Sequence, residues 1–258
     1  MADDYDLAAG PDPATLAASA PEPPVGEPSD PVYAVGIGPG NPEYLTARAR
    51  RAIGEADVVV GFETVVEFVR EETDADLLTC GYRDEGETLA AFAERVADGE
   101  RGTAVLMGDP NHSGYQFVGK VQRAVTAPVR VVPGISSLQV AASRARTPME
   151  DTEFVTLHKS GSIEADLDRL RAHVGQRHLL VLPRPFDWMP GDIARELLDA
   201  GAEPSLSALV LERLTHDDES VTRRSLGDLA SSAGGESRAD TPYSDLSVLA
   251  VRATRPAD

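Results

Sequence analysis

Cysteine, lysine and long apolar runs are nearly missing from this chain of 258 residues. Cys80 is the single cysteine, so neither an intramolecular disulfide nor a cysteine-built zinc cluster can form. Lys120 and Lys159 are the only lysines among 24 cations; the rest are arginine. Uninterrupted apolar runs such as Leu179–Leu182, Ala208–Leu211 and Val248–Val251 stop at about four residues, far below the ~20 that cross a bilayer. Positive charge is scarce as well: 24 Lys+Arg stand against 43 Asp+Glu, a net charge of −19. That argues against a partner held by phosphate neutralisation, such as nucleic acid, and against attraction to an anionic membrane. The acidic N-terminus has no apolar h-region, so no secretory signal is expected and a cytoplasmic location is.

What is present is enough for a normal globular core. The chain is 41% hydrophobic and 26% charged. A chain of this length buries roughly 70–75% of its unfolded surface. The acidic, lysine-poor composition suits a cytosol with molar salt, where the Debye length falls to ~3 Å and self-repulsion is screened. The expectation is a halophile's protein.

Residues 1–30 carry seven acidic residues, six prolines and no basic residue, and read as a disordered tail. Beyond them strands and helices alternate. Val32–Ile37, Val58–Val60, Leu77–Cys80, Ala104–Met107 and Val129–Val132 read as strands. Helices are expected over Thr46–Ala56, Thr88–Ala97, Gly114–Val125 and Ser136–Arg144. This alternation predicts βαβ units and a mainly parallel sheet, with ligands beyond the strand carboxyl ends. The second half reads as mixed, with strands at Phe154–Leu157, Leu179–Leu182, Leu206–Leu211 and Leu246–Val251, helices over Ile163–Val174 and Ile193–Ala200, and a hairpin-like step over Glu212–Arg224. Gly234–Pro242 reads as a loop. A break near Thr147–Asp151 gives an α/β domain over 31–148 and a second over 149–252.

Gly36-Ile37-Gly38-Pro39-Gly40 follows a strand, but it fits a dinucleotide fingerprint poorly: Asn41 stands where the third glycine belongs and Pro42 separates the turn from its helix. The segment Val35–Thr46 instead resembles the opening motif of the tetrapyrrole methylases, which transfer a methyl group from S-adenosylmethionine (SAM) to porphyrinoid and corrinoid precursors. Ala56–Gly61 resembles their next strand, Met107-Gly108-Asp109-Pro110 their GDP motif, and Val132-Pro133-Gly134-Ile135-Ser136-Ser137 their PG turn. Glu212, Leu214, Thr215 and Glu219 resemble their E-x-L-T…E segment. The resemblance runs in order over about 31–252.

It implies a two-domain α/β fold, parallel in the first sheet and mixed in the second, with SAM in an inter-domain cleft. It implies cofactor contacts at Pro39, Met107, Gly108, Asp109, His112, Ser136, Ser137, Pro183 and Leu214. Glycine lets main chain approach a ligand closely, and hydroxyls at a helix start can donate to it, although Asp109, Ser136 and Ser137 would serve equally as helix caps. Displacement at a sulfonium asks mainly for alignment and exclusion of water, so no catalytic residue is assigned and no metal is expected. A polycarboxylate substrate in so acidic a chain needs local cations. Lys120, His158, Lys159 and Arg184 are the candidates, with Arg144 and Arg146 beside them.

Family members acting on uroporphyrinogen resemble a pattern with an acidic residue where Gly61 stands here. Gly61-Phe62, the Gly108–Gly114 loop and Leu157–Gly161 look most like the subgroup that methylates cobalt-precorrin-7 at C5, although Lys159-Ser160-Gly161 departs from its pattern. No fused second methyltransferase domain is expected after Val251. Alternatives are corrinoid methylases acting at C17, C11 or C20, diphthine synthase, and a non-catalytic SAM- or corrin-binding sensor. A homodimer is expected.

Overall fold

A computed structural model describes residues 30–185, 187–234 and 240–254. The tail expected over residues 1–30 lies almost wholly outside the described residues, as does the middle of the loop expected over Gly234–Pro242. Among the described residues no helix is long and apolar enough to cross a membrane. The chain divides into two compact units at Ser136–Ser137.

The first unit is built on a five-stranded parallel sheet of order β3-β2-β4-β1-β5. The strands are β1 (Val32–Gly36), β2 (Val58–Phe62), β3 (Asp76–Cys80), β4 (Gly102–Leu106) and β5 (Val129–Val132). Alternate residues feed two separate cores, one on each face. Val32, Ala34, Val58, Val60, Ala104 and Leu106 pack with Phe92, Phe117, Val118 and Val121. Val35, Val59, Val105 and Val132 pack with Ala49, Ile53, Val65 and Val66. The partners come from helices α1 (Ala47–Gly54), α2 (Glu63–Glu67), α3 (Glu85–Ala97) and α4 (Tyr115–Ala124). Apolar residues on both faces are what a doubly covered parallel sheet requires. Thr46 caps α1 by accepting the Ala49 N–H at 3.1 Å.

The second unit carries a mixed sheet of order β6-β7-β10-β8-β9. Its strands are β6 (Thr152–Thr156), β7 (His178–Leu182), β8 (Ser207–Glu212), β9 (Ser220–Ser225) and β10 (Ser247–Val251). Only β6 and β7 run parallel; β10 is antiparallel to β7 and β8, and β8 to β9. Helices α6 (Glu164–His173), α7 (Pro190–Asp199) and α8 (Leu226–Ala230) supply Leu167, Leu170, Ile193, Leu197, Leu226 and Leu229 to one core.

The division falls earlier than the break expected near Thr147–Asp151. Helix α5 (Ser137–Ala145) packs on β7 and β10, so it belongs to the second unit. The sequence pattern shows that this helix is amphipathic but not which sheet receives it. Helix α3 also starts a turn before the expected Thr88. Its first residue, Glu85, is buried and ion-paired with Lys120.

Candidate cofactor site

Three turns converge at the carboxyl edge of the parallel sheet, after β1, β4 and β5. They approach too closely for a side chain at the crossing points. A Cβ at Gly36 would sit 2.5 Å from the Gly108 carbonyl oxygen and 2.7 Å from the Gly134 nitrogen; one at Gly134 would overlap the same carbonyl. Gly38 and Gly108 exchange two main-chain hydrogen bonds, of 3.2 and 2.7 Å. Gly38, Gly40 and Gly108 take φ of 86°, 122° and 65°, which side chains resist. Pro39 is buried between the first two.

Asp109 fastens this junction. It is buried, and one carboxylate oxygen accepts the Asn111 N–H at 2.9 Å while the other accepts the Gly134 N–H at 3.1 Å. The first bond caps the single π-helical turn Pro110–Gly114 that leads into α4. His112 sits in that turn, its Nδ1 4.0 Å from the Asp109 carboxylate. Met107 packs against the core beneath the turn. Ser136 is buried and ends the first unit; Ser137 begins α5. The first unit thus gathers Pro39, Met107, Gly108, Asp109, His112 and Ser136 around one main-chain junction. Pro183 is buried just after β7 and Leu214 is buried just after β8, both in the second unit.

The cations expected at a substrate are engaged inside their own units. Lys120 of α4 pairs with the buried Glu85 of α3. Lys159 lies 2.5 Å from Asp166, whose side chain is only 9% exposed. Arg184 grips Asp187 through Nε at 2.8 Å and Nη2 at 2.6 Å, and Nη1 reaches the Gly161 carbonyl at 3.3 Å. Burial lowers the His158 pKa, which keeps its imidazole neutral around pH 7. Arg144 pairs with Glu219 at 2.8 Å, and Arg146 is exposed. Burial, with Glu85 and Asp84 nearby, pushes the Cys80 thiol up to about 12, which keeps it protonated around pH 7.

One feature of the second unit has no sequence signal. Leu214 is flanked by Arg213 and Thr215 with φ of 50° and 72°, and neither is glycine or asparagine. A left-handed β-branched residue is an outlier, and each such residue costs about 1–3 kcal/mol unless the surroundings impose it.

A family-wide sequence model of the tetrapyrrole (corrin/porphyrin) methylases matches residues 31–230. The chain belongs to this family. It is therefore an enzyme, a C-methyltransferase of tetrapyrrole biosynthesis with SAM as methyl donor. The methylase is 29% identical over 200 residues to a probable cobalt-precorrin-7 C(5)-methyltransferase of Methanocaldococcus jannaschii, covering 77% of this chain and 91% of that protein. It is 28% identical over 232 residues to siroheme synthase 1 of Halorhodospira halophila, covering 83% of this chain but only 47% of the synthase. Among solved structures, it matches a cobalt precorrin-4 methyltransferase with TM-score 0.69 at 19% identity, over 94% of this chain and 97% of that one. It also matches the uroporphyrin-III C-methyltransferase of Thermus thermophilus, solved with S-adenosylhomocysteine, with TM-score 0.64 at 26% identity, over 86% and 97%.

The junction suits such a cofactor. Its glycines bring main-chain amides and carbonyls to the edge of the sheet without side chains in the way, and Ser136 adds a hydroxyl. Those are donors and acceptors for an adenosyl group and an amino-acid end.

Proposed function

We propose that this methylase acts in corrin ring synthesis and methylates C5 of cobalt-precorrin-7. The carrying observation is the likeness to the M. jannaschii protein, matched over 91% of its length. A second reading, methylation of uroporphyrinogen III, is favoured by 29% identity over 224 residues to such an enzyme of Methanosarcina barkeri. Gly61 weighs against it. It lies within β2, where an added Cβ would meet Val105 Cγ2 at 2.8 Å and the Val105 carbonyl at 2.9 Å. An acidic side chain of the kind expected in uroporphyrinogen methylases has no room there.

Bound SAM supplies an electrophilic methyl group. The chain's own part is positioning. Pro39, Met107, Gly108, His112, Ser136, Ser137, Pro183 and Leu214 are the proposed cofactor contacts. Asp109 is a further proposed cofactor contact and also a positioning residue, because its two carboxylate oxygens hold the turns together and keep further acceptor sites. Lys120, Lys159 and Arg184 are proposed as oriented donors to substrate carboxylates, and His158 as a neutral donor or acceptor. A lysine that spends one N–H on a carboxylate keeps others to offer.

The test is incubation with SAM and cobalt-precorrin-7. Mass spectrometry should show one methyl replacing hydrogen without loss of carbon dioxide, and carbon NMR with labelled SAM should place it at C5. A methyl at C17, C11 or C20, or transfer only to uroporphyrinogen III, would overturn the assignment and leave the family standing. The acidic composition supports an enzyme working in high salt; a cytoplasmic location and a homodimer are also proposed. A melting temperature that stays flat from about 0.1 to 2 M KCl would refute the salt reading.

A further inference from the structure

The loop between β8 and β9 holds an unfavourable shape without glycine. Residues 213–219 make two successive turns: the His216 N–H donates to the Arg213 carbonyl at 3.0 Å, and the Glu219 N–H donates to the His216 carbonyl at 3.0 Å. Arg213 and Thr215 are both left-handed, so the peptide planes on either side of Leu214 are turned away from their ordinary orientation. Such a shape persists only where the surroundings over-determine it.

The surroundings that do so are specific. Glu219 Oε2 accepts the Thr215 N–H at 2.7 Å, which closes the loop on the strained residue. Glu219 Oε1 accepts Arg144 Nε at 2.8 Å, and Arg144 Nη2 reaches Oε2 at 3.5 Å. The Arg213 N–H is fixed on the Leu246 carbonyl at 2.9 Å. Arg144 lies in the last turn of α5, the helix that Ser137 begins. One carboxylate therefore ties together the two elements of the second unit that carry Leu214 and Ser137. The pair is 42% and 21% exposed, and partly exposed pairs add little to global stability. Geometry is what it supplies.

We propose that Glu219 and Arg144 form a positioning couple that holds Thr215 in its left-handed conformation and so sets the Leu214–Thr215 main chain for SAM. This rests on the reading of Leu214 as a cofactor contact. Neither Glu219 nor Arg144 needs to touch the cofactor.

The decisive experiment is a double-substitution cycle read by calorimetric titration of the full chain with SAM. Glu219→Ala should weaken SAM binding about tenfold, because the left-handed residue loses its clamp. The same substitution in a Thr215→Gly background should cost under about threefold, since glycine takes that conformation freely. Glu219→Gln, whose amide oxygen can still accept the Thr215 N–H, should stay within a few-fold of wild type. Equal cost of Glu219→Ala in both backgrounds, or no cost in either, overturns the proposal. If Glu219→Ala melts below the assay temperature, Arg144→Met carries the same cycle. Amide hydrogen exchange reads the clamp without ligand: exchange at Thr215 should speed up in Glu219→Ala, and unchanged protection overturns the couple. A wild-type chain that fails to bind SAM would refute the cofactor reading instead, with exchange at Thr215 still deciding the clamp.

Discussion

The two units hold the loops at their strand carboxyl ends by different means. In the first, main chain meets main chain: Gly36, Gly108 and Gly134 touch, and one carboxylate bridges the turns after β4 and β5. In the second, side chains do the holding: Lys159 on Asp166, Arg184 on Asp187, and Glu219 on Arg144 and the Thr215 N–H. The steric part of the main-chain junction is one that salt and pH do not alter, and Asp109 is its one titratable fastening described above. A side-chain clamp can be loosened one charge at a time. The difference predicts which perturbations each unit tolerates.

The sharpest way to break the contrast is Gly134→Ala. The new methyl would overlap the Gly108 carbonyl, and backbone has no rotamer to yield. The expected loss is about 3 kcal/mol or more, with SAM binding lost as well. Differential scanning calorimetry with SAM titration checks this, and a variant as stable as wild type would mean the turns have slack. Next is Lys159→Ala, which removes the close partner of the buried Asp166 and leaves Arg169 Nη1 at 3.9 Å. We expect a loss of about 2 kcal/mol in urea unfolding and a raised KM for the tetrapyrrole, with SAM affinity nearly unchanged. Equal damage to substrate and SAM binding would show that Lys159 shapes the fold around the site instead of meeting the substrate.

A smaller effect is expected from Gly161→Ala. This glycine has a φ of 78° but nothing within 4 Å of an added Cβ, so only the backbone conformation resists. The expected loss is about 1 kcal/mol by urea midpoint. A loss matching that of Gly134→Ala would erase the distinction between crowded and merely left-handed glycines.

The smallest effect concerns pH and the second unit alone. Burial, aided by Arg252, lowers the pKa of His178 below 6.5, and its Nδ1 accepts the Ala253 N–H at 3.0 Å. The unfolded chain thus takes up this proton before the folded one does. The contribution is fully present above pH 6.5 and is lost as pH falls through the lower folded-state pKa. His158 adds to the same window with the same sign. His178→Gln keeps an acceptor without titrating. Melting temperatures compared at pH 7.5 and 5 should fall less in that variant than in wild type.

The same division governs what could be read from sequence. The β1, β4 and β5 turns were legible because their contacts demand glycine, and glycine is visible in the chain at 36, 38, 108 and 134. The parallel strands were legible because Val58–Val60 and Ala104–Leu106 are apolar on both faces. Arg213 and Thr215 were not legible, since their left-handed backbone is held by distant partners, Leu246 for Arg213 and Glu219 for Thr215, and carries no glycine signal. Nor were the partners of the cations. Glu85 lies 35 residues from Lys120, and nothing local marks the pairing. Lysines expected to face a substrate therefore turned out to have carboxylates of their own. The helix Ser137–Ala145 was legible as a helix, but its choice of sheet depends on β7 and β10, which come later in the chain.

Strand order has a consequence during synthesis. Among the described strands, Val32–Gly36 is made first, yet its partners there are β4 and β5, beginning at Thr103 and Val129. At roughly 5–20 residues per second, the strand waits several seconds for its first neighbour and longer for its second. Meanwhile β2 and β3 can already zip together, because Val58–Phe62 pairs with Asp76–Cys80 across a short connection. The strand that bears the first glycine turn is thus born earliest and housed last. Until its neighbours arrive, its apolar side chains and both rows of main-chain hydrogen-bonding groups lie open to any nascent chain nearby.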